Sequence, residues 1–527
     1  MESSPASDKA DTSSLREAAS EFASYPGVQN DASAKEFLDR FPLPFLFGVL
    51  QTEVDVAGLE QAIVECLDRI LRTRYGASLL PHYVDFIAAG LGANSPAIKC
   101  LACKSISYTL ENSEDKATAT EILVGHNIYP LLINCLVDGD EQTSTVSLNA
   151  IKSIAKTSQG IHVIFPPNNT EEALQLKDIA GHSSSEARIR ILSLIKDLFS
   201  LSESFASAIY ESNLLSLFEL EINSRNDILA TLSALEILYE LVESSHSSTF
   251  LLKSSLLDLL TNIIRNDLVD SILRSRAMLI SGRLLYPPDS YRSIEDSRVK
   301  QLLTAIDRRL NVILGQNTGE VEIVLESLGL IGSSAEGANF LLTSSSHGAK
   351  LVIESAFDRQ DKGKQLAALL AFGSISGANR AEERRILNDN AEGCLKHLVY
   401  ETAANSSKLM PSGLFLAVLQ QEPNMRLAAY RLISALVSRA WCLIEVCSKL
   451  EIISLVVDAN IEDTKIGMEA RFDCCAAISN ALSASSLVND AKVAEMAAML
   501  QEAVRRGPYL TKKHVEPQPL VITAERF

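Results

Sequence analysis

The chain has 527 residues and a formal net charge of −18, and its 47% of hydrophobic residues exclude a wholly disordered chain. Aromatic residues make up only 6%, which favours packed helices over a β-sandwich, and no apolar run reaches the roughly 18–20 residues of a membrane helix. The negative charge disfavours nucleic acid and anionic lipid, and nine scattered cysteines indicate a reducing compartment, so we expect a cytoplasmic protein that could also be nuclear.

The chain begins with a segment rich in Ser, Ala and Asp. Residues 1–34 have neither the basic region nor the apolar region of a secretory signal, and we predict a disordered leader. The apolar stretch Phe41–Phe47 and a helix over Leu59–Arg72 follow. We expect these two segments to close the N-terminal end of a helical stack.

A repeat of about 45 residues runs through the rest of the chain. Lys104-Ser105-Ile106 recurs as Lys152-Ser153-Ile154 and, more loosely, as Lys196-Asp197-Leu198, while Leu235–Leu252 is similar to Leu325–Leu342. One apolar anchor can be chosen in each repeat, and successive anchors are 43 to 48 residues apart except for one gap of 61. The anchors are Ile106, Ile154, Leu198, Leu241, Leu284, Ile331, Ile375, Leu436 and Leu482.

This period and its helical patterning predict an all-α fold, a right-handed armadillo/HEAT-like solenoid over residues 35–506. The three-helix armadillo form and the two-helix HEAT form both remain open. The long gap is interpreted as an inserted loop near 405–424, because Pro411, Gly413 and Pro423 lie in it. A last helix over Asp490–Arg505 is followed by residues 507–527, predicted to be an extended tail.

Motifs for catalysis or metal binding are missing from the sequence. Cys100 and Cys103 form a CxxC within an apolar helix, without the second ligand pair of a zinc site, and are interpreted as core thiols. Gly373–Gly377 has Ile375 where a nucleophile elbow requires serine. We therefore expect no enzyme, cofactor, metal or small-molecule substrate. The single Trp441 also excludes the tryptophan array with which some armadillo proteins bind basic peptides.

Several segments, in order and in register, resemble the 26S proteasome non-ATPase regulatory subunit 5 family. The resemblance covers roughly residues 40–510 and is carried most by Leu328–Ser333, Glu336-Gly337 and Ala440-Trp441. It also includes Phe45–Arg72, Ser95–Phe165, Ser438–Ser479 and Gly507-Pro508-Tyr509.

This resemblance implies an assembly chaperone of the proteasome regulatory-particle base. Members of the family bind ATPase subunits in an intermediate that also contains a large non-ATPase subunit, and they leave before the particle matures. If the last helix of each repeat lines the binding groove, its polar residues Asn134, Glu219 and Asn262 are candidate partner contacts. The alternative is a general armadillo-repeat adaptor or scaffold in another protein complex.

Overall fold

The computed structural model describes residues 5–52, 56–112, 116–166, 171–224, 227–244, 246–313, 319–344 and 347–509. These residues form helices and turns, with no strand among them. They divide into two compact units, Met1–Phe250 (unit 1) and Leu251–Phe527 (unit 2). No helix within the described ranges is long and apolar enough to cross a membrane.

Unit 1 consists of helices joined by short turns, with a 3₁₀ turn at Leu80–Tyr83. In chain order its helices are α1 (Pro5–Ser24), α2 (Asp31–Arg40), α3 (Leu43–Gln51), α4 (Leu59–Leu71), α5 (Arg74–Leu79), α6 (Val84–Leu91), α7 (Pro96–Asn112), α8 (Lys116–Gly125), α9 (Ile128–Asp138), α10 (Glu141–Ala155), α11 (Gly160–Ile164), α12 (Glu171–His182), α13 (Ser185–Leu201), α14 (Glu203–Glu211), α15 (Ser216–Asn223), α16 (Ile228–Val242) and α17 (Ser247–Phe250).

Unit 2 has the same character, with 3₁₀ turns at Pro288–Arg292, Glu382–Arg384 and Ser486–Asn489. Its helices are α18 (Leu256–Arg265), α19 (Ser271–Leu284), α20 (Asp296–Ile313), α21 (Glu320–Ile331), α22 (Ala335–Thr343), α23 (Gly348–Phe357), α24 (Lys362–Ser376), α25 (Asp389–Ala404), α26 (Pro411–Leu419), α27 (Pro423–Leu436), α28 (Ala440–Cys447), α29 (Leu450–Val457), α30 (Lys465–Ser483) and α31 (Ala491–Arg506).

Each unit is organised around a row of stacked helices, which we call the long helices. In unit 1 the helices α4, α7, α10, α13 and α16 pack on one another in that order, and in unit 2 α19, α21, α24, α27 and α30 do the same. Every predicted repeat anchor lies in one of these helices, and none is more than 2% exposed. The predicted all-α helical-repeat fold is therefore confirmed.

Polar residues before the long helices fix where those helices begin. The side chains of Asp140 and Asp361 accept hydrogen bonds from the backbone N–H groups of Thr143 and Lys364, at 2.7 and 3.1 Å. Such N-caps satisfy donors that a helix start otherwise leaves free, and each contributes about 1 kcal/mol. Ser184, Asp227, Asp270 and Thr464 cap other long helices in the same way.

Small residues let the long helices of unit 2 approach closely. A Cβ atom on Gly329 of α21 would lie 2.8 Å from the Cα of Ala371 in α24. On the other side of α21, the Ser327 hydroxyl donates a hydrogen bond of 2.8 Å to the carbonyl of Met278 in α19. Close packing here leaves no room for a larger side chain, since buried helices fill their contact surfaces almost completely.

A repeated ion pair, the arginine clasp, joins elements from successive repeats. Its arginine is the fourth residue of a long helix: Arg188 in α13, Arg274 in α19 and Arg426 in α27. Each donates to the carbonyl five residues earlier, and each pairs with a buried glutamate further along the chain. The glutamates are Glu221, Glu320 and Glu462. Each arginine thus donates to a carbonyl in the turn before its own helix and holds a later element against that helix.

Two of the predicted domain features are corrected by the structure. Most of the predicted disordered leader is helical: α1 packs on α4, and Leu15 and Ala19 are fully buried. Its low overall hydropathy concealed these few buried positions.

The predicted inserted loop near 405–424 instead contains α26, whose Leu414 and Phe415 are buried, because Pro411 begins a helix rather than interrupting one. The predicted tail lies outside the described residues beyond Tyr509.

The clasp at Glu320 can be tested by substitution. Glu320 accepts hydrogen bonds from Arg309 Nε at 2.7 Å and Arg274 Nε at 3.3 Å, and all three residues are less than 9% exposed. We expect Glu320→Gln to lower the free energy of unfolding by about 3–5 kcal/mol, because it leaves two buried guanidinium groups without their shared carboxylate. Chemical denaturation measures the loss.

The exposed Glu326 on the same helix provides the matched control, and we expect Glu326→Gln to change stability by less than about 0.5 kcal/mol. Burial alone would raise the pKa of Glu320, but the hydrogen bonds from Arg309 and Arg274 outweigh burial and lower it. The clasp should therefore contribute fully at neutral pH and weaken as pH falls below about 4.3. If Glu320→Gln and Glu326→Gln lowered the free energy of unfolding equally, the stabilising role of the Glu320 clasp would be contradicted.

Candidate partner-binding surface

Unit 1 contains a cavity of about 310 Å³, which we call the N-terminal pocket. It lies among α3, α4, α6 and α7, and its apolar lining includes Phe47, Leu50, Phe86, Ile87, Ile98 and Leu101. Phe47, Leu50 and Phe86 are half-buried, so the pocket opens to solvent on their side. A pocket of this size and lining can hold one or two apolar side chains of a partner.

Helix α3 supplies one wall of the pocket. Its nine residues carry no charge, yet only Leu43 and Leu46 are buried. Phe45 is 42% exposed, and Phe47 and Leu50 are partly exposed. One side of the helix therefore anchors it to unit 1, and the other leaves apolar surface partly exposed to solvent. Contiguous exposed apolar surface of this kind typically marks a binding site.

An aromatic cluster stiffens the pocket wall. The ring of Phe47 stacks on Phe86 at 5.1 Å between centroids, and Tyr83 contacts Phe47 edge-on at 5.9 Å. The exposed Glu60 contributes a carboxylate to the lining and accepts a hydrogen bond from the Ser95 hydroxyl. A rigid apolar wall beside one carboxylate suits an apolar partner segment that carries a nearby basic group.

On the exposed side of the long helices in unit 1, ion pairs join one long helix to the next. Lys104 pairs with Asp68 at 3.4 Å, Lys152 with Asp197 at 3.0 Å and Lys196 with Glu240 at 2.9 Å. The three lysines occupy the same position of the sequence repeat. Each partly exposed pair contributes at most about 1 kcal/mol, so these lysines hold register between repeats more than they add stability.

The three predicted contact residues lie on helices that precede long helices. Asn134 is exposed on α9 and Asn262 is exposed on α18, while Glu219 on α15 is partly exposed. These helices pack against α10, α19 and α16, respectively. The structure brings none of the three into the N-terminal pocket, and their contact with a partner stays a prediction.

The cysteines interpreted as core residues are indeed buried. Cys100 and Cys103 on α7 are 5% and 0% exposed, and Cys100 lies 3.4 Å from the hydroxyl of Thr143. Burial raises the pKa of the Cys66 thiol to about 12, which keeps it protonated at neutral pH. In the described parts of the chain no three His, Cys, Asp or Glu side chains are placed to hold a metal ion.

Sequence reasoning missed the N-terminal pocket because its lining comes from four helices without a shared motif. The sequence does contain one sign of the pocket. The charge-free segment that forms α3 carries two phenylalanines, Phe45 and Phe47, and a second aromatic pair, Tyr83 and Phe86, follows it in the chain. The arginine clasps also went unnoticed, although an arginine stands at the same position of three long helices.

Comparison with known proteins gives a consistent result. The family model described as "Proteasome non-ATPase 26S subunit" matches residues 6–525. The 26S proteasome non-ATPase regulatory subunit 5 of Homo sapiens is 19% identical over 453 residues, covering 85% of this chain and 85% of that protein. The Mus musculus protein of the same name is 20% identical over 458 residues, with the same coverage.

A solved structure also matches the fold. The crystal structure of Uso1-2 aligns with a TM-score of 0.52 over 95% of this chain and 87% of that chain, at 11% sequence identity. At this identity the likeness concerns the fold alone.

If the partly exposed side of α3 binds a partner and the buried side serves folding, the same substitution on the two sides should change the free energy of unfolding by different amounts. We expect Leu46→Asp to lower the free energy of unfolding by more than about 3 kcal/mol, because Leu46 is 1% exposed. The half-buried Leu50 should tolerate Leu50→Asp with a loss below about 1 kcal/mol. Urea denaturation followed by circular dichroism compares them, and similar losses would show that both sides serve folding.

Proposed function

The chain belongs to the family of proteasome non-ATPase 26S subunits, and on that premise we propose that it is an assembly chaperone of the regulatory-particle base. In this role it binds ATPase subunits of the base, together with a large non-ATPase subunit, and is released before the particle matures. The observation that carries the proposal is the family match over nearly the whole chain. The names of the two relatives, regulatory and non-ATPase, agree with a subunit that acts by binding.

The helical-repeat fold supports a binding role. Stacked repeats present a large, rigid surface whose shape does not have to be rebuilt when a partner binds. Within unit 1, the N-terminal pocket offers an apolar anchor site, and its Phe47, Leu50 and Phe86 side chains remain partly exposed. We propose that a client segment inserts apolar side chains there and places a basic group near Glu60.

Release before maturation requires a moderate affinity. A small pocket and a single exposed carboxylate provide few strong contacts, so a competing surface on the growing particle can displace the chaperone. We propose that binding needs no cofactor, metal or small-molecule substrate and takes place in the cytoplasm. Asn134, Glu219 and Asn262 remain proposed additional contacts.

Affinity purification of the tagged full-length chain, followed by mass spectrometry, tests this proposal. We expect recovery of base ATPases and a large non-ATPase base subunit without core-particle subunits, because the chaperone leaves before the particle is complete. Recovery of intact particles, or of a complex that lacks proteasomal ATPases, would contradict the proposal. The second result would favour the general adaptor.

The pocket can be tested in the same experiment. We expect Leu50→Asp to reduce recovery of ATPase subunits at least tenfold, since it places a charge on the apolar wall. Leu229→Asp, at a position 75% exposed on α16 and outside the pocket lining, is the matched control and should leave recovery within twofold of the unaltered chain. Equal recovery with both variants would exclude the pocket as the client site.

A further inference from the structure

Two arginine side chains of unit 2 cover a sharp turn at the end of α24. Gly377 adopts a left-handed backbone conformation with φ of +102°. A Cβ atom at this position would lie 2.9 Å from Cγ of Arg385 and 3.2 Å from Nε of Arg380. Glycine is therefore required both by the backbone angle and by the two side chains that pack over it. With Ser376 and Arg439, these two arginines form what we call the arginine corner.

Arg439 is fully engaged within this corner. Its Nε and Nη2 donate to the two carboxylate oxygens of Glu392 at 2.8 and 2.9 Å, and its Nη1 donates to the carbonyl of Ser376 at 3.1 Å. Glu392 also accepts a hydrogen bond from the backbone N–H of Leu387. Within the described part of the chain, Glu392 is the only carboxylate that pairs with Arg439, and both of its oxygens already accept hydrogen bonds.

The other members of the corner have unused donors. Arg380 is 9% exposed, and its Nη2 donates to the carbonyls of Ser374 and Ile375. Among the residues that the structure describes, its Nε and Nη1 have no hydrogen-bond partner, nor do the buried Nε of Arg385 and the hydroxyl of Ser376. Leaving such groups buried and unpaired is unfavourable, and more so when they are charged. Since all four atoms can donate, an acceptor with several oxygens would satisfy them together.

The charge of the corner indicates the kind of acceptor. Arg380, Arg385 and Arg439 carry three positive charges, of which Glu392 neutralises one, and Glu336 acts on Arg380 only at longer range. Burial, followed by the positive charge of the neighbouring Arg439, lowers the pKa of Arg380 to about 10. A phosphate group carries about −1.5 to −2 at pH 7, close to the excess, whereas a carboxylate would neutralise only half of it.

We propose that the arginine corner binds a phosphate group, supplied as inorganic phosphate or as a phosphomonoester. Its oxygens would accept from Arg380, Arg385 and Ser376, while Glu392 and Arg439 hold the turn in place. The four donor atoms are closed to solvent, and Arg385 is only half-buried, so the proposed ligand enters from the side of Arg385 as that side chain moves. This site lies in unit 2 and does not depend on the client proposed for the N-terminal pocket.

Isothermal titration calorimetry on the full chain tests the proposal, with inorganic phosphate and O-phospho-L-serine as separate ligands and acetate at equal ionic strength as the comparison. We expect saturable binding of at least one phosphate ligand, at least tenfold tighter than acetate. Binding of phosphoserine alone would assign the site to a phosphomonoester, and binding of inorganic phosphate would show that the free ion suffices. No saturable phosphate binding, or equal binding of acetate, would overturn the proposal.

Arg385→Ala and Arg384→Ala form the matched pair of variants, because they make the same charge change at neighbouring residues. Arg384 is exposed and its side chain has no role in the corner, so we expect Arg384→Ala to leave the dissociation constant within twofold. Arg385→Ala should weaken phosphate binding at least tenfold. Equal weakening would show general attraction to a basic surface and would overturn the proposal, and thermal unfolding verifies that each variant is folded.

Discussion

Each unit depends on one constraint: a long helix has too much apolar surface to be covered by its own repeat. The repeat anchors are at most 2% exposed because each long helix packs against other long helices and against a helix of its own repeat. At roughly 25 cal/mol per Å² of buried apolar surface, this stacking is the dominant stabilising contribution. The sequence period follows from it, since each repeat must present the same apolar side at the same position.

Polar groups then fix the register of the stack. An arginine at the fourth position of a long helix reaches back to the preceding turn and forward to a later glutamate, which ties three segments together. Such buried pairs add little net stability compared with apolar contacts, but breaking one is costly. The arginine corner contains the same residue types, except that its donors outnumber its acceptors. That imbalance distinguishes a binding site from a structural clasp.

The fold could be predicted from the sequence because it rests on periodic apolar positions, and all nine anchors proved to be buried in long helices. The two predictions that failed, the disordered leader and the inserted loop, rested on local amino-acid composition. Helix α1 needs only a few buried residues such as Leu15, which a Ser- and Asp-rich segment does not reveal. The predicted loop around Pro411, Gly413 and Pro423 is wrong because Pro411 stands in the first turn of a helix, where proline is well tolerated.

The candidate sites were beyond sequence reasoning for a different reason. The N-terminal pocket and the arginine corner each combine residues from separate elements, so that Arg380 and Arg439 are 59 positions apart in the chain yet act on one another. No short sequence motif contains residues that are so far apart in the chain. Asn134, Glu219 and Asn262 were chosen by their position in a repeat, which identified exposed or partly exposed residues but not a shared surface.

Hydrogen-exchange mass spectrometry, on the free chain and on the chain with a purified base ATPase, tests the central claim most directly. The account predicts slow exchange throughout the long helices of both units, and further slowing at α3 and α6 when the ATPase is added. Fast exchange in any long helix of the free chain would contradict the stacked-repeat account. An ATPase that leaves α3 and α6 unchanged would contradict the proposed use of the N-terminal pocket.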